Sequence, residues 1–331
     1  MTSGPPRVSV IMAAYNGERY IAESLRSALG QTYPHLEVVV VDDGSADRTR
    51  EIVADVRATD GRVVYVYQPN GKQGKARNTG IRRARGELIA FLDQDDLWEA
   101  EKLELQLRAI AASGADVVFS DGYLFEGDQA ADERAPFNTI RGRYVGDEML
   151  RLLFATNSIP VLSALVRRGA IVGAGLLNAD PAFQNCDDYD LWLRLAARGA
   201  VFYGMPERLV RYRRHPGQAS RQITRQLKSE IAVLEQFRDS PAIGARAKRE
   251  RLWPLYQQLV LALVEEGQPE EAREWLRKLS AAEPRVLFPA LQARLLTVGP
   301  RPFRIATRAH ASITYRLRRR LDQVRGAMKK K

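Results

Sequence analysis

The run Leu88-Ile89-Ala90-Phe91-Leu92-Asp93-Gln94-Asp95-Asp96 decides the fold. Its five apolar residues are too few for a helix, lack alternation and stop abruptly at acidic residues, which reads as a short strand buried on both faces. Upstream the pattern repeats. Val8–Met12 is a buried strand closed by an Asn16-Gly17 turn, and Glu18–Leu29 puts Tyr20, Ile21, Leu25 and Leu29 on one helical face. Leu36–Val41, largely β-branched, is a second buried strand; it ends in Asp42-Asp43-Gly44-Ser45, with a helix expected from Asp47 to Arg57. Val63–Tyr67 reads as a third strand and Gly74–Arg85 as an Arg- and Ala-rich helix. Strands alternating with helices at this spacing predict an α/β fold with a doubly wound, mostly parallel sheet. Ligands of such sheets sit outside the carboxyl ends of the strands. Both acidic clusters fall there.

Downstream, the pattern predicts a helix over Glu101–Ser113, a strand over Asp116–Tyr123, a polar acceptor-side loop over Phe125–Arg143 and a helix over Asp187–Gly199. Val201–Met205 and Leu209–Arg213 read as short strands. From about Ser220 the chain reads as helical and basic, with Tyr256–Gly267 and Glu270–Leu279 as a helical hairpin. These signals divide it into 1–219, the α/β domain, and 220–331, a basic helical C-terminal region.

Composition sets the limits. The chain has 331 residues, 45% hydrophobic and 27% charged, enough to bury a core and unlike a disordered chain. One cysteine, Cys186, excludes an internal disulfide framework, and three histidines argue against a His-rich zinc site. No apolar run approaches the roughly 18 residues of a spanning helix. Met1–Pro6 is short and polar, so no signal peptide is expected, and a cytoplasmic location follows as an expectation. The net charge of +11 is unevenly placed: residues 1–200 hold 23 Lys/Arg and 28 Asp/Glu, whereas 201–331 hold 28 and 12. The excess therefore describes the C-terminal region and not the chemistry of the sheet.

Three acidic clusters could carry chemistry. Asp93, Asp95 and Asp96 crowd one strand end, where their repulsion calls for a compensating hard cation that takes its remaining ligands from water or phosphate. Asp96 alone also fits a helix cap. Asp42-Asp43-Gly44-Ser45 could accept an N–H from a nucleobase, although a plain βα turn explains it equally. Asp187-Asp188 begin a helix whose dipole favours ionised carboxylates, the state a general base needs. Basic residues that could neutralise a leaving diphosphate are Lys75 and Arg77 before the second cluster, and Arg211, Arg213 and His215 after the last strands.

In order, these segments resemble family 2 glycosyltransferases of GT-A fold. The matching blocks are Val8-Ser9-Val10-Ile11-Met12-Ala13-Ala14-Tyr15-Asn16-Gly17, Val40-Val41-Asp42-Asp43-Gly44-Ser45, Ala76-Arg77-Asn78-Thr79-Gly80, Ala90-Phe91-Leu92-Asp93-Gln94-Asp95-Asp96, Asp187-Asp188-Tyr189-Asp190-Leu191-Trp192 and Tyr212-Arg213-Arg214-His215. The resemblance spans roughly residues 6–220. It implies a Rossmann-like GT-A domain that transfers one sugar, with inversion, from a nucleotide-diphosphate sugar to a carbohydrate or lipid-linked acceptor hydroxyl. It places Ala13, Tyr15 and Asp43 at the nucleobase and ribose, with Lys75 and Arg77 also on the donor nucleotide. Asp93 and Asp95 become the family's DxD motif, with Asp95 on Mg²⁺ or Mn²⁺ and Asp93 nearer the ribose. Asp188 matches the catalytic base, and Asp187 stands where the family usually has Glu. Asp187 and Asp96 are candidates for a second or acceptor-side carboxylate, and Arg211, Arg213 and His215 for diphosphate contacts. The block variants look like those of bacterial rhamnosyl- and related surface-polysaccharide transferases.

Other classes fit less well. A sugar nucleotidylyltransferase needs a glycine-rich basic loop after the first strand, where this chain has Ala13-Ala14-Tyr15-Asn16-Gly17. A dinucleotide oxidoreductase needs G-x-G-x-x-G there. A catalytically silent scaffold, binding membrane or nucleic acid through its basic region, would not need intact acidic positions. No nucleic-acid recognition motif accompanies the basic residues, so no specific nucleic acid is expected. In 301–331, Ile313, Leu317, Leu321 and Val324 follow helical spacing among 11 basic residues, which suggests a peripheral contact with an anionic cytoplasmic membrane face.

Overall fold

The apolar runs become the centre of a nine-stranded sheet in the computed structural model, which describes residues 8–126, 136–137, 139–218 and 222–282. The basic tail 301–331 and most of the 125–143 loop lie outside the described residues.

The first half of the chain alternates as its pattern predicts: β1 (Val8–Ala14), α1 (Ile21–Leu29), β2 (Leu36–Asp42), α2 (Thr49–Thr59), β3 (Val63–Tyr67), α3 (Lys72–Arg83) and β4 (Leu88–Phe91). Then come β5 (Leu97–Trp98), α4 (Lys102–Ser113), β6 (Val117–Glu126), β7 (Gly142–Val145), α5 (Gly146–Ala155), β8 (Ala164–Arg167), α6 (Arg168–Gly173), α7 (Asp187–Ala197) and β9 (Val201–Arg214). The sheet order is β3-β2-β1-β4-β8-β6-β9-β5, with β7 on β9. Its first four strands are parallel, so β1, β2 and β4 deliver their carboxyl ends to one edge. β8 enters antiparallel and makes the sheet mixed.

Alternation along β1 and β2 covers both faces. Val8, Val10, Met12, Val38 and Val40 share a core with Ile21, Leu25 and Val53 of α1 and α2. Ile11 and Val41 face α3, which comes so close that a Cβ on Gly80 would lie 2.5 Å from Ile11 Cγ2. β2 is buried throughout, Glu37 included. Its carboxylate accepts from Ser9 Oγ (2.6 Å) and from the Arg85 backbone N–H (2.7 Å), which satisfies the buried charge.

Several elements depart from the sequence pattern. The two short strands expected after α7 are one long strand, β9, whose pairing with β6 shifts register around Asp121. β7 occupies the end of the expected 125–143 loop, and α5, β8 and α6 fill the stretch before α7.

The described residues form two units. One is the sheet with its helices through Gln222, joined by Ala232–Ala247; the other is Ile223–Ile231 and the chain from Lys248 on. Helix α8 (Ile223–Glu235) therefore contributes to both. In the second unit α9 (Ala245–Glu265) buries Leu252, Leu255, Leu259 and Leu263. It runs eleven residues further back than the expected start at Tyr256, with Pro254 inside it. Gly267 at φ 77° then turns the chain into α10 (Pro269–Ala282), the second arm of the expected hairpin. No described helix is long and apolar enough to cross a membrane.

The close approach of α3 to β1 gives a direct test. Gly80→Ala must push a β-branched neighbour inside a packed layer, so chemical denaturation should show a loss of about 1–3 kcal/mol. An unchanged midpoint would mean α3 is not seated as described.

Candidate active site

Two loops at the carboxyl ends of β1 and β2 are laced together by short polar side chains. Asn16, at φ 50°, turns the chain after Tyr15; its N–H donates to Ser45 Oγ (3.0 Å), and its Oδ1 accepts from Ala46 N–H (2.9 Å). Asp42 builds the turn: it is buried and accepts from Ser45 N–H (2.8 Å) and Tyr65 Oη–H (2.6 Å). Asp43 is thereby left to face the loop after β3, where its Oδ1 accepts from Gln68 Nε2–H (2.7 Å) and Gly71 N–H (2.8 Å). Ala13 lies at the end of β1 and is partly exposed, and the Tyr15 ring is 51% exposed. Lys75 is exposed in the first turns of α3 beside Gly71. Tyr15 and Lys75 are thus exposed, whereas Asp43 is buried, at 3% exposure.

The acidic loop after β4 is held by basic side chains. Asp93 Oδ1 accepts from Arg77 Nη2 at 2.7 Å, and Asp95 Oδ2 lies 2.8 Å from His215 Nε2. Burial first, then the charge of Asp93, pushes the Asp95 carboxyl above its usual range. Asp96 is fully buried: Oδ1 accepts from Arg213 N–H (2.8 Å), and Oδ2 is buried with no hydrogen-bond partner. Burial, then Asp95 and Asp93, drive its carboxyl well up. Negative charge around Asp95 exceeds the positive charge supplied to it, and a divalent cation there would relieve the excess. Among the described residues no three His, Cys, Asp or Glu side chains gather to hold an ion. Asp95 and His215 therefore fit a cation that takes its other oxygens from a phosphate-bearing ligand.

Three sequence expectations change here. Asp96 is no acceptor-side carboxylate, because it is walled in behind the Arg213 backbone. Arg213 itself is 1% exposed and cannot reach a ligand. Its guanidinium lies 4.5 Å from the Tyr20 and Phe125 ring centres, and it donates to Asp95 O (2.7 Å) and Glu23 Oε2 (2.5 Å). It fixes the acidic loop from behind. Arg211 pairs bidentately with Glu99 at 2.6 and 3.0 Å, so its charge is already matched. Of the three basic candidates on that strand and its end, His215 alone reaches the Asp95 carboxylate.

The third cluster is joined to the second through Arg77. This side chain is 2% exposed, and while Nη2 serves Asp93, Nη1 donates to Asp187 Oδ2 at 3.0 Å. It therefore ties two carboxylates together instead of facing solvent. The loop before α7 is brought to α3 by Asn78, whose amide donates to Leu177 O (2.8 Å) and accepts from Leu177 N–H (3.0 Å). Gly74 makes room, since a Cβ there would be 2.7 Å from Asn178 O. Asp188 follows in the first turn of α7 and is half-buried. Burial, and then the charge of Asp187, push its carboxyl up to about 7. A carboxylate of that basicity suits proton abstraction near neutral pH. Sequence reasoning missed Asn78, Gln68 and Gln94; each acts by hydrogen bonds to backbone or carboxylate that no spacing rule marks.

Arg77 invites a stability test. Arg77→Met keeps much of the volume but leaves Asp93 and Asp187 without their shared cation, and breaking a buried pair in this way costs about 3–5 kcal/mol. The loss should appear in denaturant melts at pH 7 and shrink as the pH falls and the carboxylates protonate. A variant as stable as wild type would remove Arg77 from this role.

Comparison with known proteins agrees with the geometry. Residues 9–171 match the model described as glycosyl transferase family 2. A glycosyltransferase assigned to teichuronic acid biosynthesis, TuaG of Bacillus subtilis, is 32% identical over 223 residues, covering 64% of this chain and 81% of that one. A glycosyltransferase of Rickettsia typhi is 30% identical over 241 residues, covering 70% and 71%. Among solved structures, S. aureus TarS 1–349 with UDP-GlcNAc aligns with TM-score 0.64 at 20% identity over 94% of this chain and 92% of that one. The Pyrobaculum calidifontis mannosyltransferase PcManGT, with GDP-Man and Mn²⁺, aligns with TM-score 0.55 at 22% identity over 93% and 85%. The chain has their GT-A architecture, is a glycosyltransferase, and belongs to glycosyl transferase family 2.

Proposed function

We propose that this glycosyltransferase moves one sugar, with inversion, from a nucleoside-diphosphate sugar to an acceptor hydroxyl in polysaccharide or glycoconjugate synthesis. The observation that carries the reading is the Arg77 bridge, which holds the donor-side Asp93 and the helix bearing Asp188 within one side chain's span. TuaG's assignment to teichuronic acid synthesis supports a polymer or glycoconjugate product, and the nucleotide sugars bound by TarS and PcManGT support the donor class.

In this reading the nucleobase lies against Tyr15 and donates an N–H to Asp43. The diphosphate runs along the acidic loop toward Asp95 and His215. Asp188 takes the proton from the acceptor hydroxyl as its oxygen attacks the anomeric carbon. The bond from that carbon to the diphosphate oxygen breaks on the opposite face, and its electron pair leaves with the nucleoside diphosphate. Asp95 and His215 would hold Mg²⁺ or Mn²⁺, which supplies Lewis-acid stabilisation of the leaving charge when bound. Asp187, fixed by Arg77, keeps the Asp188 carboxylate basic.

Three outcomes test this. Asp188→Asn should leave donor affinity in place and lower kcat by at least about 10²-fold, the smaller end of a general base's contribution. Its Tm should stay level or rise, because a carboxylate held above its ordinary pKa is a native-state cost at neutral pH. Collapse of donor affinity with normal turnover of bound donor would make Asp188 a binding residue instead. In wild type the base works ionised, so kcat/KM should climb with pH through about 7 and level off above it. A profile flat from pH 5 to 8 would contradict the assignment. EDTA should abolish transfer and Mn²⁺ or Mg²⁺ restore it; full activity in EDTA would exclude the cation.

The tail supports a location. Its 11 basic residues interleaved with apolar ones suit an anionic bilayer surface, at about 1 kcal/mol per basic residue near the lipid. Liposome sedimentation of full-length protein and of a chain ended near Pro300 should show salt-sensitive binding to anionic vesicles only with the tail. Equal binding to neutral vesicles would rule this out.

A further inference from the structure

Gln94 stands between Asp93 and Asp95 and has no charge to offer a cation or a phosphate. Its side-chain amide instead faces the Tyr15 backbone. Tyr15 N–H donates to Gln94 Oε1 at 2.9 Å, and Gln94 Nε2–H donates to Tyr15 O at 3.0 Å. This exchange of both bonds is what one residue offers another in an antiparallel ladder. Here a side chain supplies it, one residue past the last residue of β1.

The surroundings are built for that amide. A Cβ on Gly17 would stand 2.3 Å from Gln94 Oε1 and 2.8 Å from its Cδ, so a side chain at position 17 would displace this amide. The Gln94 backbone is held separately, its carbonyl accepting from Ser24 Oγ–H at 2.8 Å. On the other side, Asn16 is pinned to Ser45 and Ala46. The result is a Tyr15 whose two backbone groups are fixed while its ring stays 51% exposed. An aromatic face held on a rigid backbone is a stacking platform, and its aim depends on the conformation of the 93–96 loop.

We propose that Gln94 is a positioning residue that couples the two ends of the donor site: it aims the Tyr15 ring at the nucleobase from within the loop that receives the diphosphate. The inference rests on the donor-site reading given above. It makes the middle position of the acidic motif a specificity element of this chain, acting through Tyr15 and not through the sugar or the cation.

The test is calorimetric titration of UDP, dTDP and GDP, each with Mn²⁺, into wild type, Tyr15→Ala, Gln94→Ala and the double variant, with melting curves for each protein. For the nucleotide that wild type binds, Tyr15→Ala and Gln94→Ala should each weaken affinity about 5- to 150-fold, the range for losing one base–aromatic stack. The double variant should be no weaker than Tyr15→Ala alone, because Gln94 acts only through that ring. Gln94→Met keeps the length and removes both bonds to Tyr15 without adding charge; it should weaken binding similarly, and it serves if Gln94→Ala fails to fold. Unchanged affinity in the Gln94 variants, or a double variant weakened by the product of the two single effects, overturns the proposal while the donor-site reading stands. A wild type that binds none of the three nucleotides overturns the donor-site reading, and the inference with it.

Discussion

A guanidinium with 2% of its surface exposed would be costly unless its charge were answered on more than one side. Arg77 is answered twice, by Asp93 from the loop after β4 and by Asp187 from the start of α7. The two acidic clusters would repel each other without it. With it they share one cation, and the helix that bears Asp188 is tied to the loop after β4. α3 carries Arg77, and its close seating on β1 through Gly80 makes that placement rigid. Asn78, one residue on, fastens the loop that leads into α7. One short stretch, Arg77-Asn78-Thr79-Gly80, therefore connects the sheet, the acidic loop and the helix that bears Asp188.

Around this bridge the site has a clear division of labour. Asp42, Asp96 and Arg213 face inward and make the loops, and Asp43 is buried against the loop after β3; Asp95, Asp188 and His215 stay partly exposed. In each pair of adjacent acids, one residue is consumed by scaffolding. Asp42 caps a turn so that Asp43 can meet Gln68 and Gly71, and Asp96 accepts a β9 backbone N–H so that Asp95 can meet His215. The raised carboxyls of Asp95 and Asp188 share a first cause in burial, yet their neighbours differ. Asp95 is beside a histidine and suits a cation, whereas Asp188 is beside Asp187 and suits a proton.

Much of this was legible in the sequence. The apolar runs at Val8, Leu36 and Leu88 located parallel strands because burial on both faces leaves no alternation, Val63 added the half-buried edge strand, and the acidic residues after the Leu36 and Leu88 runs marked those strand ends. What sequence could not show was which member of each acidic pair faces inward, since that depends on partners as remote as Arg213. Arg213 looked like a diphosphate contact, but two aromatic rings and Glu23 close around it. α5 and β8 were overlooked because their segments are short and their apolar residues fit helix and strand equally. The amides of Gln94 and Asn78 gave no signal, because a side chain that mimics a peptide group leaves no periodicity.

The proposed mechanism makes one stereochemical demand: with Asp188 deprotonating the acceptor hydroxyl that attacks the anomeric carbon, displacement happens once. ¹H NMR of the sugar first released from a nucleoside-diphosphate sugar, with water in the acceptor's place and before mutarotation, tests this directly. The account predicts an anomer opposite in configuration to the donor. Release of the same anomer would require two displacements and would contradict it.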